Sequence, residues 1–222
     1  MNKLKIRSYT SKLISSNMYI MEKDKKAIII DPCIDKEALL YIQENSITID
    51  YIILTHEHYD HISGVNYFKE LFGCKVICNK ECANAIEHPK LNFSKYFDVL
   101  IEVLPKDKDM TIPPEIEPYS CMADMVFEKE KTIDWKGHKI ELVSTPGHSK
   151  GSICIIVDNK YLFSGDSLLR DYPTITRLKG GSYKIYKENT LEFFKFLLPE
   201  TIVYPGHYES FKLIERINSS NI

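Results

Sequence analysis

The sequence predicts an α+β protein made of two strand-rich halves that pack face to face, with helices outside. Apolar patterning places several strands in each half, and at least two helices are interspersed with them. An irregular stretch of about residues 88–130 separates the two halves. With 222 residues, the chain is long enough for one large domain or two small ones.

The first half combines buried strands with capped helices. Residues 26–30 are almost continuously apolar, which is typical of a strand buried on both faces. Asp35 is a suitable N-cap for a following helix, and Gly73 is a suitable C-cap for a later one. The predicted strands are 16–21, 26–30, 51–54 and 75–78, and the predicted helices are 35–44, 62–72 and one from residue 80 onward.

The second half repeats this mixture of strands and helices. Asp158-Asn159 is a turn signal that separates two of its strands. The predicted strands are 139–144, 152–157, 161–163 and 201–204, and the predicted helices are 190–198 and 211–217.

The stretch at about 88–130 is rich in proline, acidic and aromatic residues. A loop of this length inside a compact domain is usually functional or mobile. We expect a lid over the active site, or an insertion. A plain surface excursion and a dimer contact remain alternatives, so a homodimer stays open.

Composition excludes several classes of function. Lys and Arg total 29 against 31 Asp and Glu, so the chain has no general attraction for nucleic acid. No signal peptide is visible, and the longest strongly apolar run, 27–30, is too short to cross a bilayer. The six cysteines contain no C-x-x-C pair and are expected to be reduced and mostly buried. We therefore expect a soluble cytoplasmic protein that binds neither nucleic acid nor membranes.

The strongest motif is His56-Glu57-His58-Tyr59-Asp60-His61, directly after a predicted buried strand. Protonated histidines this close together would repel one another. Neutral imidazoles and a carboxylate can instead converge on a divalent cation. The motif therefore indicates a metal site.

Three further ligand-type residues follow strands in the same manner. His148, Asp166 and His207 each lie in a sharp glycine-containing turn just after a predicted strand. The remaining histidines, His88 and His138, are predicted to be exposed loop residues.

Together these positions give seven nitrogen and oxygen ligands, too many for one tetrahedral zinc ion. The number suits two adjacent metals, between which a water becomes hydroxide near neutral pH. A structural zinc site is the alternative, but such sites are normally closed and rich in thiolates. The ligands are His56, His58, Asp60, His61, His148, Asp166 and His207.

These motifs resemble those of the metallo-beta-lactamase-fold hydrolases, and most closely the short glyoxalase II-like branch. The residues that carry the resemblance are His56-Glu57-His58-Tyr59-Asp60-His61, Thr145–Ser152, Ser164-Gly165-Asp166-Ser167, Tyr204-Pro205-Gly206-His207 and Asp31-Pro32. The resemblance implies a four-layer αββα sandwich with two mixed sheets, and a single domain over 1–222.

The resemblance also distributes the ligands between two metals. His56, His58 and His148 would hold the first, while Asp60, His61 and His207 would hold the second. Asp166 would bridge the two metals. Asp31 would orient the ligand loop from behind. Zinc is expected, with iron or manganese as alternatives.

The implied activity is hydrolysis of a small ester, with a thioester favoured. A metal-bridging hydroxide would attack the carbonyl, and Asp60 would orient this nucleophile or pass on its proton. Beta-lactamases of this fold usually lack the bridging Asp, so antibiotic hydrolysis is not favoured. Only 15 residues follow His207, and Gly206-His207-Tyr208-Glu209 departs from the Gly-His-Glu-Tyr pattern of glyoxalase II. Glutathione recognition is therefore not expected.

Candidate substrate contacts lie near the ligands in sequence. Arg177 and Lys179 could bind a carboxylate or phosphate, and solvated surface charge is the alternative. Tyr172 and Tyr208 are candidate donors to a developing oxyanion.

Other activities of the same fold remain as alternatives. A mononuclear iron enzyme resembling persulfide dioxygenases would use only His56, His148 and Asp166 as ligands. A lactonase or a phosphodiesterase is also compatible with the ligands. A binding protein that keeps the metal site as a scaffold is disfavoured, because the ligand set is complete.

Overall fold

A computed structural model describes residues 3–12, 14–103 and 116–219. By its internal contacts the chain divides into two compact units. The first unit runs to Cys78 and resumes from Ala83 to Val126, and the second comprises Asn79–Cys82 and the chain from Phe127 onward. Each unit carries one six-stranded sheet. The predicted α+β class, with two mixed sheets and helices, is confirmed. The single domain over 1–222 stays a prediction.

The sheet of the first unit has its strands in sequence order, β1 to β6. β1, β2 and β3 form antiparallel neighbours, whereas β3, β4 and β5 run parallel. Four of the five residues of β3 are buried, as its apolar run predicts. The strands are β1 (Lys5–Thr10), β2 (Asn17–Lys23), β3 (Lys26–Ile30), β4 (Thr48–Ile53), β5 (Lys75–Asn79) and β6 (Met125–Phe127).

Helices connect the parallel strands of this sheet. Asp35 caps α1 through its side chain, which accepts a hydrogen bond from the Ala38 amide at 2.8 Å. Gly73 ends α3 in the left-handed conformation, with φ of 63°. Both caps are as predicted. The helices here are α1 (Lys36–Glu44), α2 (Tyr59–Ile62), α3 (Val65–Phe72), α4 (Lys80–Ile86) and α5 (Phe97–Val103).

The segment at about 88–130 is more regular than predicted. It contains a 3₁₀ turn at Ser94–Tyr96, helix α5 and strand β6. Residues 104–115 of this segment lie outside the described residues. The lid stays a prediction.

The sheet of the second unit has the order β12-β11-β10-β9-β8-β7. Only β10 and β11 run parallel, and the other neighbours are antiparallel. All five residues of β9 are buried, so both faces of this strand are covered. The strands are β7 (Glu130–Trp135), β8 (His138–Ser144), β9 (Ile153–Val157), β10 (Tyr161–Gly165), β11 (Ile202–Pro205) and β12 (Phe211–Lys212).

The helical segment after β10 begins and ends earlier than predicted. A helix was expected at 190–198, whereas the structure has α6 (Tyr183–Ile185), a π-helical turn (Tyr186–Thr190) and α7 (Leu191–Phe194). Ser182 caps this segment, accepting a hydrogen bond from the Ile185 amide at 3.3 Å. The last helix is α8 (Leu213–Ser219). Within the described residues, no helix combines the length and apolar character that crossing a membrane requires.

Each unit has an apolar core. In the second unit, a cluster of buried side chains from the sheet, the loop after β10 and the first residue of α8 packs with Phe194 of α7. The cluster comprises Cys154, Ile156, Leu162, Leu168, Phe194, Val203, Phe211 and Leu213. All six cysteines of the chain are buried thiols, as predicted, and burial raises the pKa of Cys154 to about 12.

Gly64 allows a close approach between α3 and the turn after β3. Its amide donates to the Pro32 carbonyl at 2.8 Å. A Cβ at this position would lie 2.9 Å from backbone atoms of Pro32 and Cys33. Because backbone atoms cannot rotate away as a side chain can, any larger residue would displace this turn.

We therefore predict that Gly64→Ala lowers the free energy of unfolding by about 3 kcal/mol, the upper end of overpacking costs. Gly73→Ala is the matched control, because Gly73 has φ of 63° and no atom within 4 Å of an added Cβ. It should cost only about 1 kcal/mol for the left-handed backbone. Urea denaturation measures both. Equal losses would show that the close approach at Gly64 contributes nothing.

Candidate metal centre

The predicted ligands of the first unit lie where two parallel strands end. Asp31 directly follows β3, and the residues from His56 to His61 follow β4. Because neighbouring parallel strands end at the same edge of a sheet, Asp31 and the histidine motif come together there. Tyr59–Ile62 then forms the short helix α2, which includes Asp60 and His61.

Asp31 is the hub of this group. Its backbone is left-handed, with φ of 50°, which Asp tolerates better than most residues. The buried carboxylate accepts from the Thr55 amide at 2.7 Å, from the Thr55 hydroxyl at 2.5 Å, and from His61 Nδ1 at 3.0 Å. Three donors on one carboxylate compensate for its burial.

These hydrogen bonds orient two imidazole rings. His61 Nδ1 donates to the Asp31 carboxylate, so Nε2 of a neutral His61 carries the lone pair. The Thr55 hydroxyl gives its proton to Asp31, so it accepts from His56 Nδ1, which lies 3.0 Å away. Nε2 of a neutral His56 is therefore also a lone-pair atom. Both rings present the nitrogen that a metal binds.

The ligand atoms of this group are close enough to share cations. His56 Nε2 lies 3.1 Å from His58 Nδ1, near the separation of about 3.3 Å expected for two nitrogens on one tetrahedral zinc. His61 Nε2 lies 3.0 Å from Asp60 Oδ2. Ligand atoms of Asp31, His56 and His61 also lie within 4.8 Å of one another. This donor set fits a divalent metal of the zinc, iron or manganese type.

Residues that the sequence analysis did not single out support this loop. The Ser16 hydroxyl donates to the Asp60 carbonyl at 3.0 Å, and the Tyr59 amide donates to the Asn92 carbonyl at 2.9 Å. The Phe93 ring lies 4.9 Å from the His58 ring, centroid to centroid. The residues around 92–93 therefore contact the ligand loop. Nothing in the sequence pattern marked Ser16 or Asn92, since each contacts the ligand loop through a single hydrogen bond to or from its backbone.

The predicted ligands of the second unit form their own group. Asp166 directly follows β10, and His207 follows the parallel neighbour β11 after one intervening residue. His148 lies in the turn after β8. Asp166 Oδ2 lies 3.5 Å from His148 Nε2 and 3.4 Å from His207 Nε2. One carboxylate oxygen is therefore shared by two imidazoles, as a bridging ligand would be.

A loop after β10 orients His148. His148 Nδ1 donates to the Ile175 carbonyl at 2.7 Å, which leaves Nε2 of the neutral ring facing Asp166. The neighbouring Thr174 hydroxyl donates to the Ser167 carbonyl at 3.0 Å, and the buried Tyr186 hydroxyl donates to the same carbonyl, also at 3.0 Å. These bonds fix the loop that supplies the Ile175 carbonyl.

The first residue of the π-helical turn also packs against the His148 turn. A Cβ on Gly147 would lie only 2.5 Å from Tyr186 Cβ, so only glycine fits there. Thr190, which ends the π-helical turn, donates through its hydroxyl to the Pro146 carbonyl at 2.7 Å. The roles of Tyr186 and Thr190 could not be predicted from the sequence, because they depend on an irregular helix that no apolar period reveals.

The candidate substrate residues are all exposed. Arg177 and Lys179 lie on the loop after Asp166, in a position that is also consistent with surface charge. Tyr172 and Tyr208 come together as a stacked pair, with ring centroids 4.4 Å apart. Their pairing was not anticipated from the sequence.

The two histidines assigned to loops differ from each other. His88 is exposed, as predicted. His138 was expected in a turn, whereas it is the first residue of β8 and lies 2.5 Å from Asp158 Oδ2 through Nδ1. This contact across the end of a hairpin stabilises the turn rather than a ligand group.

We predict that Thr55→Val weakens metal binding about 10- to 100-fold, the usual cost of losing an outer partner of a ligand. Valine keeps the shape of threonine but removes the hydroxyl between Asp31 and His56. Thr55→Ser is the matched control and should retain affinity within a few-fold. Competition with a chelating dye measures both. Unchanged affinity in Thr55→Val would exclude an orienting role for this hydroxyl.

Known proteins resemble this chain along most of its length. A probable metallo-hydrolase of Methanocaldococcus jannaschii is 31% identical over 203 residues, covering 88% of this chain and 88% of that protein. The hydroxyacylglutathione hydrolase of Prochlorococcus marinus is 26% identical over 204 residues, covering 90% and 68% respectively. The crystal structure of the BLEG-1 B3 metallo-beta-lactamase superposes with a TM-score of 0.82 at 26% identity, covering 96% of this chain and 97% of that chain.

The family profile of the metallo-beta-lactamase superfamily matches residues 12–207. This range includes both groups of ligand-type residues and ends at His207. The resemblance predicted from the motifs is thereby confirmed, and so is the α+β fold with two mixed sheets and flanking helices. By this match and by its fold, the chain belongs to the metallo-beta-lactamase superfamily.

Proposed function

We propose that this protein is a dinuclear metal-dependent hydrolase that cleaves a small ester-type substrate, with a thioester favoured. Members of its superfamily are mostly metal-dependent hydrolases. One relative is named a probable metallo-hydrolase, and another a hydroxyacylglutathione hydrolase, which is a thioesterase by name.

The orientation of the imidazoles is the observation that carries this proposal. His56, His61 and His148 each use Nδ1 for a hydrogen bond, to Thr55, Asp31 and the Ile175 carbonyl respectively. In the neutral form of each ring, Nε2 is therefore the nitrogen that carries the lone pair. Metal ligands are expected to share this orientation, with Nδ1 bonded to the protein and Nε2 as the lone-pair atom. Histidines with a purely structural role have no reason to share it.

The family pattern supports combining the two ligand groups around a pair of metals. His56, His58 and His148 would hold one metal, and Asp60, His61 and His207 would hold the other. Asp166 would bridge them, since its Oδ2 already lies within 3.5 Å of two imidazoles in its own unit. Zinc is the proposed metal, because oxygen and nitrogen ligands of this kind suit it well.

The bound metals would supply an activated water near neutral pH and polarise the substrate carbonyl. Asp60 would then orient the attacking water or accept its proton through the carboxylate. Asp31 would keep His61 in the tautomer that binds metal, through its 3.0 Å contact with Nδ1. Arg177 and Lys179 would bind a carboxylate or phosphate of the substrate.

We place the protein in the cytoplasm, because its buried thiols suit a reducing compartment. The segment at about 88–130 is proposed as the lid, because its residues Asn92 and Phe93 already contact the ligand loop. A homodimer through this segment is the alternative role.

Removal of the bridging carboxylate should reduce both metal binding and turnover. We predict that Asp166→Asn loses more than about 10-fold in metal affinity, since even an outer partner of a ligand contributes 10- to 100-fold. Asp134→Asn, an exposed position on β7, is the matched control and should keep both properties. Elemental analysis and thioester hydrolysis provide the readouts. Full metal content and full rate in Asp166→Asn would contradict the bridge.

The substrate class can be tested directly. We predict about two metals per purified chain, and faster cleavage of thioesters than of lactones, phosphodiesters or a beta-lactam. Chelation should abolish the activity, and added zinc should restore it. One iron per chain, with oxygen uptake on a persulfide, would instead identify an oxygenase that uses only His56, His148 and Asp166.

A further inference from the structure

We propose that Tyr172 and Tyr208 form an aromatic platform that binds a flat apolar group of the substrate, favouring aryl over small alkyl thioesters. This inference rests on the proposed hydrolase function and specifies its substrate class. It also gives the two tyrosines a role different from the oxyanion donation expected from sequence, because stacking uses the ring faces and not the hydroxyls.

The two rings form a stacked pair that is accessible to solvent. Their centroids are 4.4 Å apart and their planes are inclined by 22°. Tyr172 is 50% exposed and Tyr208 is 46% exposed, so stacking covers only part of each ring. An exposed aromatic surface of this kind is a ready contact for another aromatic ring.

The platform lies beside the ligand group of the second unit. Tyr208 directly follows His207, and their ring centroids are 6.2 Å apart. Tyr172 lies six residues after Asp166, on the loop whose Ile175 carbonyl orients His148. A substrate whose flat group lies on the platform would therefore have other atoms within reach of the candidate ligands.

The backbone holds Tyr208 in an unfavourable conformation. Its φ is 67°, in the left-handed region that bulky residues rarely adopt. Such strain is concentrated at ligand-binding and catalytic positions, where the surrounding structure maintains it. Here the strained backbone places the Tyr208 ring against Tyr172.

Polar contacts join the two loops that carry the tyrosines. The Arg170 guanidinium lies 2.7 Å from Asp171 and 3.6 Å from Glu209, which is the residue after Tyr208. Arg216 donates to the Arg170 carbonyl at 3.1 Å. The contact between Arg170 and Glu209 joins the loop of Tyr172 to the residue after Tyr208, which supports the stacked arrangement of the two rings.

Kinetics with three thioesters test the inference: S-phenyl thioacetate, S-ethyl thiobenzoate and S-ethyl thioacetate. For whichever aryl substrate the wild type prefers, Tyr172→Ala should raise KM about 3- to 10-fold relative to S-ethyl thioacetate, the range of an aromatic contact. Tyr172→Phe keeps the ring without the hydroxyl and should restore the wild-type ratio. Tyr183→Ala, at a 66% exposed tyrosine outside the pair, is the matched control.

A binding measurement separates this inference from the proposed function. Calorimetry with S-benzylthioglycolate, a thioether that cannot be hydrolysed, should show Kd raised about 3- to 10-fold in Tyr172→Ala and unchanged in Tyr172→Phe. Absence of binding to the wild type, or an equal Kd in Tyr172→Ala, overturns the platform. If the Kd values differ as expected while no thioester is cleaved, the hydrolase proposal alone fails.

Discussion

The constraint on which the candidate centre depends is the orientation of its imidazoles. A neutral imidazole has one donor and one acceptor nitrogen, so whichever nitrogen donates a hydrogen bond settles where the lone pair lies. In the first unit, the buried Asp31 carboxylate performs this function for His61 directly and for His56 through the Thr55 hydroxyl. The left-handed backbone of Asp31 and the close approach of Gly64 both serve to hold this carboxylate in place.

The second unit solves the same problem with a main-chain acceptor. The Ile175 carbonyl orients His148, so the position of a whole loop, and not of one side chain, determines the lone pair. That loop needs support from Thr174 and Tyr186, and the latter requires a glycine at position 147. The π-helical turn brings both Tyr186 and Thr190 to the same short turn, where they contact Gly147 and Pro146.

The sequence predicted what depends on local patterns and missed what depends on distant partners. Local patterns predicted the strand that precedes each candidate ligand and the helix caps at Asp35 and Gly73. Apolar runs and capping residues act within a few positions of the chain. The predicted helix 190–198 includes α7 (Leu191–Phe194) but extends past its end, and the prediction missed α6 and the π-helical turn before it, whose irregular period leaves no apolar pattern. The role of the Ile175 carbonyl could not be predicted from the sequence, because every residue type has a backbone carbonyl.

In the proposed site of the second unit, strand ends position the candidate ligands, whereas loops carry the candidate substrate contacts. In the second unit Asp166 and His207 follow adjacent parallel strands, whose hydrogen bonds leave little freedom in their positions. Tyr172 and Tyr208 lie on the loops that continue from these ligands, where residues can change without disturbing the sheet. Because Tyr172 and Tyr208 follow the proposed ligands on exposed loops, substitutions at these tyrosines are expected to alter substrate preference without moving the strands that position Asp166 and His207.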